Sequence, residues 1–158
     1  MKKDPRIVSM EGMLEHCVNF NFRRLARLVG SHYDREFAHL GIKTTQYSLL
    51  SAIYYAKQPA LGELAQGLAL ERTTLLRNLG PLEERKLVES VPGGRGQSRR
   101  VQLTPSGRKL LGAAFKNWKK AQAGILKEIG FSRWSNLSRE LKDLAHGLQA
   151  GSAQAKSE

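Results

Sequence analysis

The chain has 158 residues, enough for one ordinary domain with a core of its own but too few for two comfortable ones. Its 26 Lys and Arg against 14 Asp and Glu give a formal net charge of +12, so a polyanionic partner is expected, with nucleic acid ahead of a membrane surface. No apolar run approaches the ~18 residues of a membrane span and the charged N-terminus does not look like a secretory signal, so we expect a cytoplasmic protein.

Residues 1–42 predict a helical segment. From Ile7 to about Leu40, large apolar residues recur at spacings of three or four, which indicates one long helix or two helices joined near Gly30. Gly41 breaks this pattern. Thr44 is then expected to be the N-cap of the next helix, which is rich in apolar residues and should be buried.

Two short helices joined by a tight turn are predicted next. The pattern from Leu61 to Leu68 indicates a helix of about two turns, and a turn follows at residues 69–70. Residues 71–86 indicate a second helix with an apolar inner face and a polar outer face. Pro81 in its interior predicts a bend, or else a helix that ends at Leu79. Such a pair of helices is a helix-turn-helix.

A β-hairpin is predicted directly after the helix pair. Residues 87–91 and 99–103 have the composition of short strands, and the glycine-rich segment 92–98 joins them as a basic tip. A helix-turn-helix with such a hairpin is a winged helix-turn-helix, which we assign to residues 43–104. The predicted fold is therefore mainly α with a small β-hairpin.

Two long helices are predicted to follow the hairpin. Thr104 and Pro105 fit the N-cap and the first position of a helix, and Gly130 separates that helix from the next. We assign residues 105–150 to this helical segment. Residues 151–158 carry no large apolar side chain and are predicted to be a disordered tail.

The two terminal segments carry more large apolar residues than a small winged lobe can cover. An apolar seam runs from Leu111 to Ile129, and another runs from Trp134 to Leu148. We therefore predict that these segments pack against a second copy in a two-fold homodimer. Packing of the first helices on the last within one chain is the alternative.

The polar residues of the second short helix and of the hairpin are the candidate DNA contacts. Arg, Asn and Thr side chains can contact base edges in the major groove, and Arg can also hold a phosphate. The candidates are Arg72, Thr73, Thr74, Arg77 and Asn78 on the helix and Arg95, Gln97, Arg99 and Arg100 on the hairpin. Arg72 could hold a phosphate instead of a base, and Thr73 or Thr74 could instead cap the helix.

The stretch from Gln46 to Gly107 resembles the MarR (multiple antibiotic resistance regulator) family of winged helix-turn-helix transcription regulators. The resemblance is carried by several spaced motifs: Thr45-Gln46-Tyr47-Ser48-Leu49-Leu50, Leu61-Gly62-Glu63-Leu64-Ala65, Arg72-Thr73-Thr74-Leu75, Pro81-Leu82-Glu83, Leu87-Val88 and Val101-Gln102-Leu103-Thr104-Pro105-Ser106-Gly107. It implies a non-enzymatic regulator, usually a repressor, that binds double-stranded DNA at palindromic operators as a homodimer. The helical flanks are similar to the family's dimerisation region.

The hairpin departs from the family pattern. The family usually has Asp-x-Arg there, an acidic residue bracing an arginine that enters the minor groove, but Arg95 and Gln97 occupy those positions here. A narrow minor groove attracts any nearby arginine, so Arg95 and Arg99 both remain candidates.

The resemblance implies two ways in which DNA could be released. Cys17 lies at a position similar to the reactive cysteine of the organic-peroxide-sensing (OhrR-like) branch, although that branch continues Phe-Ala-Leu-Tyr and this chain continues Val18-Asn19-Phe20-Asn21. An inert, buried cysteine is the alternative. A small aromatic ligand is the other effector, with Tyr33, Tyr47, Tyr54, Tyr55 and Trp118 as the candidate pocket; plain core aromatics are the alternative there.

An enzyme and an architectural DNA-binding module are the rival functions. The sequence contains no nucleophile motif, phosphate-binding glycine loop or paired catalytic carboxylates, so neither an enzyme nor a cofactor is predicted. The scattered histidines, of which only His32 and His39 could share a helical face, make a weak case for a metal. An architectural winged-helix module that binds DNA without sequence preference remains the alternative.

Overall fold

The structure is a computed structural model, and it describes residues 13–92 and 98–154. The helices are α1 Met13–His16, α2 Val18–Phe37, α3 Thr44–Ala56, α4 Leu61–Gly67, α5 Arg72–Glu84, α6 Pro105–Ile129 and α7 Phe131–Gln154, with a short 3-10 helix at Ala38–Leu40. The strands β1 Val88–Val91 and β2 Arg100–Leu103 form an antiparallel hairpin. This confirms the predicted winged helix-turn-helix fold.

The chain divides into two compact units, Met1–Lys120 and Ala121–Glu158. The first contains the helix-turn-helix and the hairpin, and the second contains the end of α6 and all of α7. None of the helices in the described ranges is long and apolar enough to cross a membrane.

The break between the N-terminal helices falls at Cys17, not near Gly30 as the sequence suggested. Cys17 is the N-cap of α2, and its Sγ accepts the backbone N–H of Phe20 at 3.4 Å. The Asn21 side chain also donates to the Glu15 carbonyl at 2.8 Å. These polar contacts stabilise the break, whereas Gly30 lies inside α2. Residues 1–12 of the predicted segment lie outside the described residues.

The turn between α2 and α3 forms at Gly41 as predicted, but the predicted cap of α3 is one residue late. Gly41 adopts a left-handed conformation with φ of 64°, which glycine accepts without strain. Lys43 is the N-cap, and Thr44 is the first helical residue. Asp34 of α2 supplies the capping acceptor, because its Oδ1 accepts both the Thr44 backbone N–H at 2.6 Å and the Thr44 hydroxyl at 2.7 Å.

The core of the winged lobe is built from the predicted apolar positions. Its fully buried side chains come from α3, α4, α5 and the hairpin: Leu49, Leu50, Ile53, Leu61, Leu75, Leu79, Leu82 and Val101. Leu79 and Leu82 lie on either side of Pro81, and α5 continues through this proline to Glu84. A helix that ends at Leu79 is therefore wrong, and the bend at Pro81 stays a prediction.

Backbone hydrogen bonds tie the start of β2 to the lobe. The register pairs Val88 with Leu103 and Val91 with Arg100. The first residue of α4 and the loop before it supply these bonds, from Leu61 N to Arg99 O and from Val101 N to Pro59 O, each 3.1 Å long. The hairpin tip at residues 93–97, which includes Arg95 and Gln97, lies outside the described residues.

The start of the second helical segment is confirmed and its end is corrected. The Thr104 hydroxyl accepts the Gly107 N–H at 3.0 Å, so Thr104 caps α6 and Pro105 is its first residue. Gly130, with φ of 80°, separates α6 from α7. Helix α7 runs to Gln154, so the tail that was predicted to be disordered from Gly151 is helical for its first four residues. Residues 155–158 lie outside the described chain.

Candidate nucleic-acid interface

The outer face of α5 displays the five predicted polar side chains. Arg72, Thr73 and Arg77 are exposed, and Thr74 and Asn78 are partly exposed. The helical period places Leu75 and Leu79 on the opposite, buried side. No side-chain hydrogen bond or ion pair within the described residues engages Arg72, Arg77 or Asn78. We call these five residues the recognition face.

A tight turn sets α5 against α4. Ala69 adopts φ of 50°, and Leu70 N donates to Ala65 O at 2.8 Å. The Glu63 carboxylate accepts the Ala60 N–H at 2.7 Å at the start of α4. These contacts and the buried leucines fix α5 on the lobe surface with its first two turns outward, which is the placement that a helix needs to enter a major groove.

The two described arginines of the hairpin are already engaged within the chain. Arg99 Nη2 lies 2.6 Å from Glu83 Oε1, and its Nε donates to Ser90 Oγ at 2.5 Å. Arg100 Nη1 donates to Gln58 O at 2.7 Å and lies 3.9 Å from Glu63 Oε2. A phosphate would therefore have to compete with these contacts or use the remaining N–H groups of each guanidinium.

Two lysines of α6 have intramolecular contacts. Lys120 Nζ lies 3.0 Å from Glu36 Oε2, and Lys119 Nζ lies 5.3 Å from the centre of the Phe115 ring. These two lysines therefore fit a solvated helix face better than a phosphate track. Arg108 and Lys109 are exposed on the first turns of α6.

Three of the five predicted effector-pocket aromatics line one open cavity of about 570 Å³. Tyr47, Tyr54 and Tyr55 line it together with Ser51, Arg108, Leu111, Gly112 and Phe115. Tyr33 and Trp118 are not among its lining residues. Tyr33 is buried, with its ring centre 6.3 Å from that of Phe37, and Trp118 stacks on Phe115 at 5.6 Å. A second cavity of about 640 Å³ shares Tyr54, Tyr55 and Arg108 and adds polar side chains such as Gln58 and Gln102.

The phenol groups of Tyr33 and Tyr47 have shifted pKa values. Burial raises the pKa of Tyr33 above its usual 10.0, and the neighbouring Tyr47 adds to the rise. Burial also raises the pKa of Tyr47, while a hydrogen bond with Ser51 opposes that rise. The folded protein therefore keeps these phenols protonated at a pH where the unfolded chain begins to ionise them.

This difference predicts how stability depends on alkaline pH. The contribution of the two phenols to the free energy of unfolding is fully present below their ordinary pKa of about 10 and is lost as the pH rises through their higher folded values. Urea denaturation between about pH 9 and 11 should show a steeper loss for the wild type than for the Tyr33→Phe/Tyr47→Phe double variant. Tyr55→Phe, at a residue that is 90% exposed, is the matched control and should follow the wild type. Equal slopes for the wild type and the double variant would contradict this prediction.

Comparison with known proteins gives a family assignment. Neither a family model nor a curated protein matches the sequence. The crystal structure of the transcriptional regulator MosR from M. tuberculosis matches with 32% sequence identity and a TM-score of 0.75, covering 87% of this chain and 98% of that one. The chain belongs to the MarR family of transcription regulators.

Further structures agree with the fold of a MarR-family regulator. MosR in complex with DNA matches with 32% identity and a TM-score of 0.77 over 85% of this chain and 98% of that one. A point mutant of E. coli MarR in complex with operator DNA matches with 18% identity and a TM-score of 0.76 over 84% and 96%. The repressor CouR bound to p-coumaroyl-CoA matches with 21% identity and a TM-score of 0.76 over 87% and 97%. These relatives are transcription regulators rather than enzymes.

Three residues of the candidate site in this MarR-family protein are not predicted from the sequence. Leu76 is 39% exposed beside the recognition face, because it falls between Arg72 and Arg77 on the helix. Glu83 contacts the hairpin, and no local signal reveals that contact. Arg108 lines both cavities, and its spacing to Leu111, Gly112 and Phe115 on α6 could have placed it there.

Proposed function

We propose that this MarR-family protein represses transcription by binding a palindromic operator in double-stranded DNA as a homodimer. The observation that carries the proposal is the recognition face, which is polar, exposed and without partners for its arginines in the described chain, next to a β-hairpin on the same lobe. MosR at 32% identity has been crystallised with DNA, which supports the same use of this surface. Such a regulator would act in the cytoplasm, where bacterial DNA lies.

The residue types of the recognition face suit base contacts. Arg77 can donate two hydrogen bonds to guanine O6 and N7, and Asn78 can pair with adenine N6 and N7. Leu76 and the Thr73 methyl can contact a thymine methyl. Arg72, in the first turn of α5, can hold a phosphate as well as a base. In the hairpin, Arg100 and the tip residues Arg95 and Gln97 are the proposed backbone or minor-groove contacts.

Dimerisation is proposed through the helical segments outside residues 43–104. Helix α2 exposes Leu25 and Leu28 at 49% and 61%, and α7 exposes Leu137 and Leu144 at 39% and 53%. Large apolar side chains repeated along helices indicate a surface that another protein surface covers. A second copy of the chain suits a palindromic site, because a two-fold dimer presents two equal recognition faces.

Selection from a randomised duplex pool tests this function. Purified protein should enrich a two-fold symmetric consensus whose half-sites lie about one helical turn apart, and sedimentation should show two chains per duplex. An enriched sequence without symmetry, or one chain per duplex, would contradict the homodimeric binding mode. No enrichment would favour the architectural module that binds DNA without sequence preference.

A small aromatic ligand is the proposed inducer, bound in the cavity of Tyr47, Tyr54, Tyr55 and Arg108. The cavity combines aromatic walls with one guanidinium, which suits an aromatic ring that carries an anionic group. CouR has been crystallised with p-coumaroyl-CoA, so a relative of this fold holds an aromatic acyl ligand. Because Trp118 stacks on the lining residue Phe115, ligand entry should change its fluorescence.

Paired probes test the ligand class. In a Trp134→Phe background, which leaves Trp118 as the one tryptophan, p-hydroxybenzoate should change the fluorescence and its neutral amide should bind more weakly. Arg108→Gln should remove the difference between acid and amide. Equal binding of both probes to the Trp134→Phe protein would exclude the anionic class.

Oxidation of Cys17 is the second proposed route of release. The thiol caps α2 through Phe20 N, so conversion to a sulfenic acid would disturb the joint between α1 and α2. Cumene hydroperoxide should then weaken operator binding by the wild type and leave Cys17→Ser unaffected. Unchanged wild-type binding after treatment would show that Cys17 is not the sensor.

A further inference from the structure

Three side chains join the last turn of α5 to both arms of the β-hairpin, close to the Val91–Arg100 pair at the tip side of the strands. Glu83 in the last turn of α5 accepts at Oε1 from Arg99 Nη2 at 2.6 Å and from Ser90 Oγ at 2.9 Å. Arg99 Nε in turn donates to Ser90 Oγ. Ser90 belongs to β1, and Arg99 directly precedes β2, so one carboxylate oxygen is bonded to both arms of the hairpin. We call Glu83, Ser90 and Arg99 the wing link.

The wing link connects α5, the helix of the recognition face, to the β-hairpin, which is the wing of the fold, through side-chain hydrogen bonds. Among the described residues of α5, Glu83 is the one whose side chain hydrogen-bonds to the hairpin. The strands are also cross-tied to each other, since Gln102 Nε2 donates to Glu89 Oε1 at 2.7 Å. The strands are therefore braced against each other, and Glu83 adds a side-chain link to α5 beyond the shared apolar core.

Neither stability nor electrostatics accounts for Glu83 at this place. The Arg99 side chain is 48% exposed and that of Glu83 is 31% exposed, so solvent screens the pair and limits what it contributes to folding. A carboxylate beside a surface that faces phosphates also opposes DNA binding. Its geometric effect is to hold Ser90 and Arg99 against the last turn of α5.

We propose that Glu83 is a positioning residue for DNA binding, which holds Arg99 and Ser90 so that the wing and α5 meet the duplex in one fixed arrangement. In this role Arg99 acts through Glu83 and Ser90 rather than as a phosphate contact. The inference rests on the proposed operator-binding function.

Removing the charge of Glu83 distinguishes positioning from electrostatics, because the two predict opposite changes in operator affinity. Glu83→Gln removes a negative charge near DNA, so electrostatics alone predicts tighter binding. Positioning predicts binding to the selected operator weakened about tenfold, comparable to the loss of one good base contact, with the salt slope unchanged. Glu84→Gln removes the same charge from the next residue, which is exposed and makes no side-chain hydrogen bond or ion pair in the described chain. It should bind as tightly as the wild type or tighter.

Arg99→Gln and the double variant separate positioning from phosphate contact. If the pair acts as a unit, the double variant loses no more affinity than either single variant. If Arg99 holds a phosphate, Arg99→Gln lowers the salt slope by about one and Glu83→Gln binds more tightly, which would overturn the proposal. Hydroxyl-radical footprinting should show that Glu83→Gln loses protection at the flanks of the site while the centres of the half-sites stay protected.

The same set of variants includes a control for folding and a control for the proposed function. Thermal unfolding of each variant identifies any that fail to fold. Glu83→Asp, which keeps the charge and withdraws the acceptor by one methylene, then replaces Glu83→Gln and should weaken binding in the same way. Wild-type protein that binds no selected duplex would overturn the proposed function, whereas wild-type binding with unchanged binding by the Glu83 variants would overturn this inference alone.

Discussion

Gly107→Ala is expected to lower the free energy of unfolding by about 3 kcal/mol or more, at the upper end of what overpacking costs. A Cβ at this position would lie 1.9 Å from the Leu87 carbonyl oxygen and 2.9 Å from its carbon. Both are backbone atoms, so no side-chain rotation relieves the clash. The same oxygen accepts the Thr104 N–H at 3.1 Å, so a shift of Leu87 would also disturb the start of α6.

Gly112→Ala is the matched control for Gly107→Ala. Gly112 lies in the same helix, and a Cβ there would have no neighbour within 4 Å. Alanine in a helix is favoured over glycine by roughly 0.5–1 kcal/mol, so this variant should be slightly more stable than the wild type. Urea denaturation of both variants at one protein concentration measures the difference. Similar midpoints for the two would show that α6 does not approach Leu87 so closely.

Arg77→Ala is expected to weaken binding to the selected operator by about 1–3 kcal/mol, roughly 5- to 150-fold. Arg77 is exposed on the outer face of α5, one turn after Thr73, and nothing in the described chain pairs with its guanidinium. A base contact at this position would discriminate one base pair, so the variant should tolerate changes at that position of the operator. Binding to a scrambled duplex should fall by much less.

Lys116→Ala is the control for the charge that Arg77→Ala removes. Lys116 is exposed on α6, and we expect it to belong to a solvated helix face. This variant should keep the sequence preference of the wild type. Fluorescence anisotropy with operator duplexes that differ at single positions measures both variants. Equal losses of Arg77→Ala on the operator and on the scrambled duplex would assign Arg77 to the phosphate backbone instead.

The parts of the fold that the sequence predicts well depend on neighbouring residues. The Thr104 cap, the hairpin and the buried leucines of α5 follow from local spacing and turn chemistry, and the structure confirms them. The cap of α3 was misplaced because its acceptor, Asp34, lies ten residues earlier in another helix. The break at Cys17 was missed because a cysteine is not an expected cap.

The candidate site likewise has features that the sequence predicts and features that it does not. Helical period places the recognition face outward, which the sequence predicts correctly. The partners of Arg99 and Arg100 lie 16 and 42 residues away, at Glu83 and Gln58, so only the folded chain reveals them. The sequence leaves Tyr33 open as a pocket residue or a core aromatic; in the folded chain it is buried beside Phe37, which stacks on Tyr47.

The affinity ratio between the selected palindrome and a scrambled duplex tests most directly whether the protein reads an operator sequence. The ratio should be measured at physiological salt and across a salt series, because phosphate contacts bind both duplexes. We predict a preference of ~10³ or more for the palindrome, with both affinities falling steeply as salt rises. Similar affinities for the two duplexes at every salt concentration would contradict operator recognition.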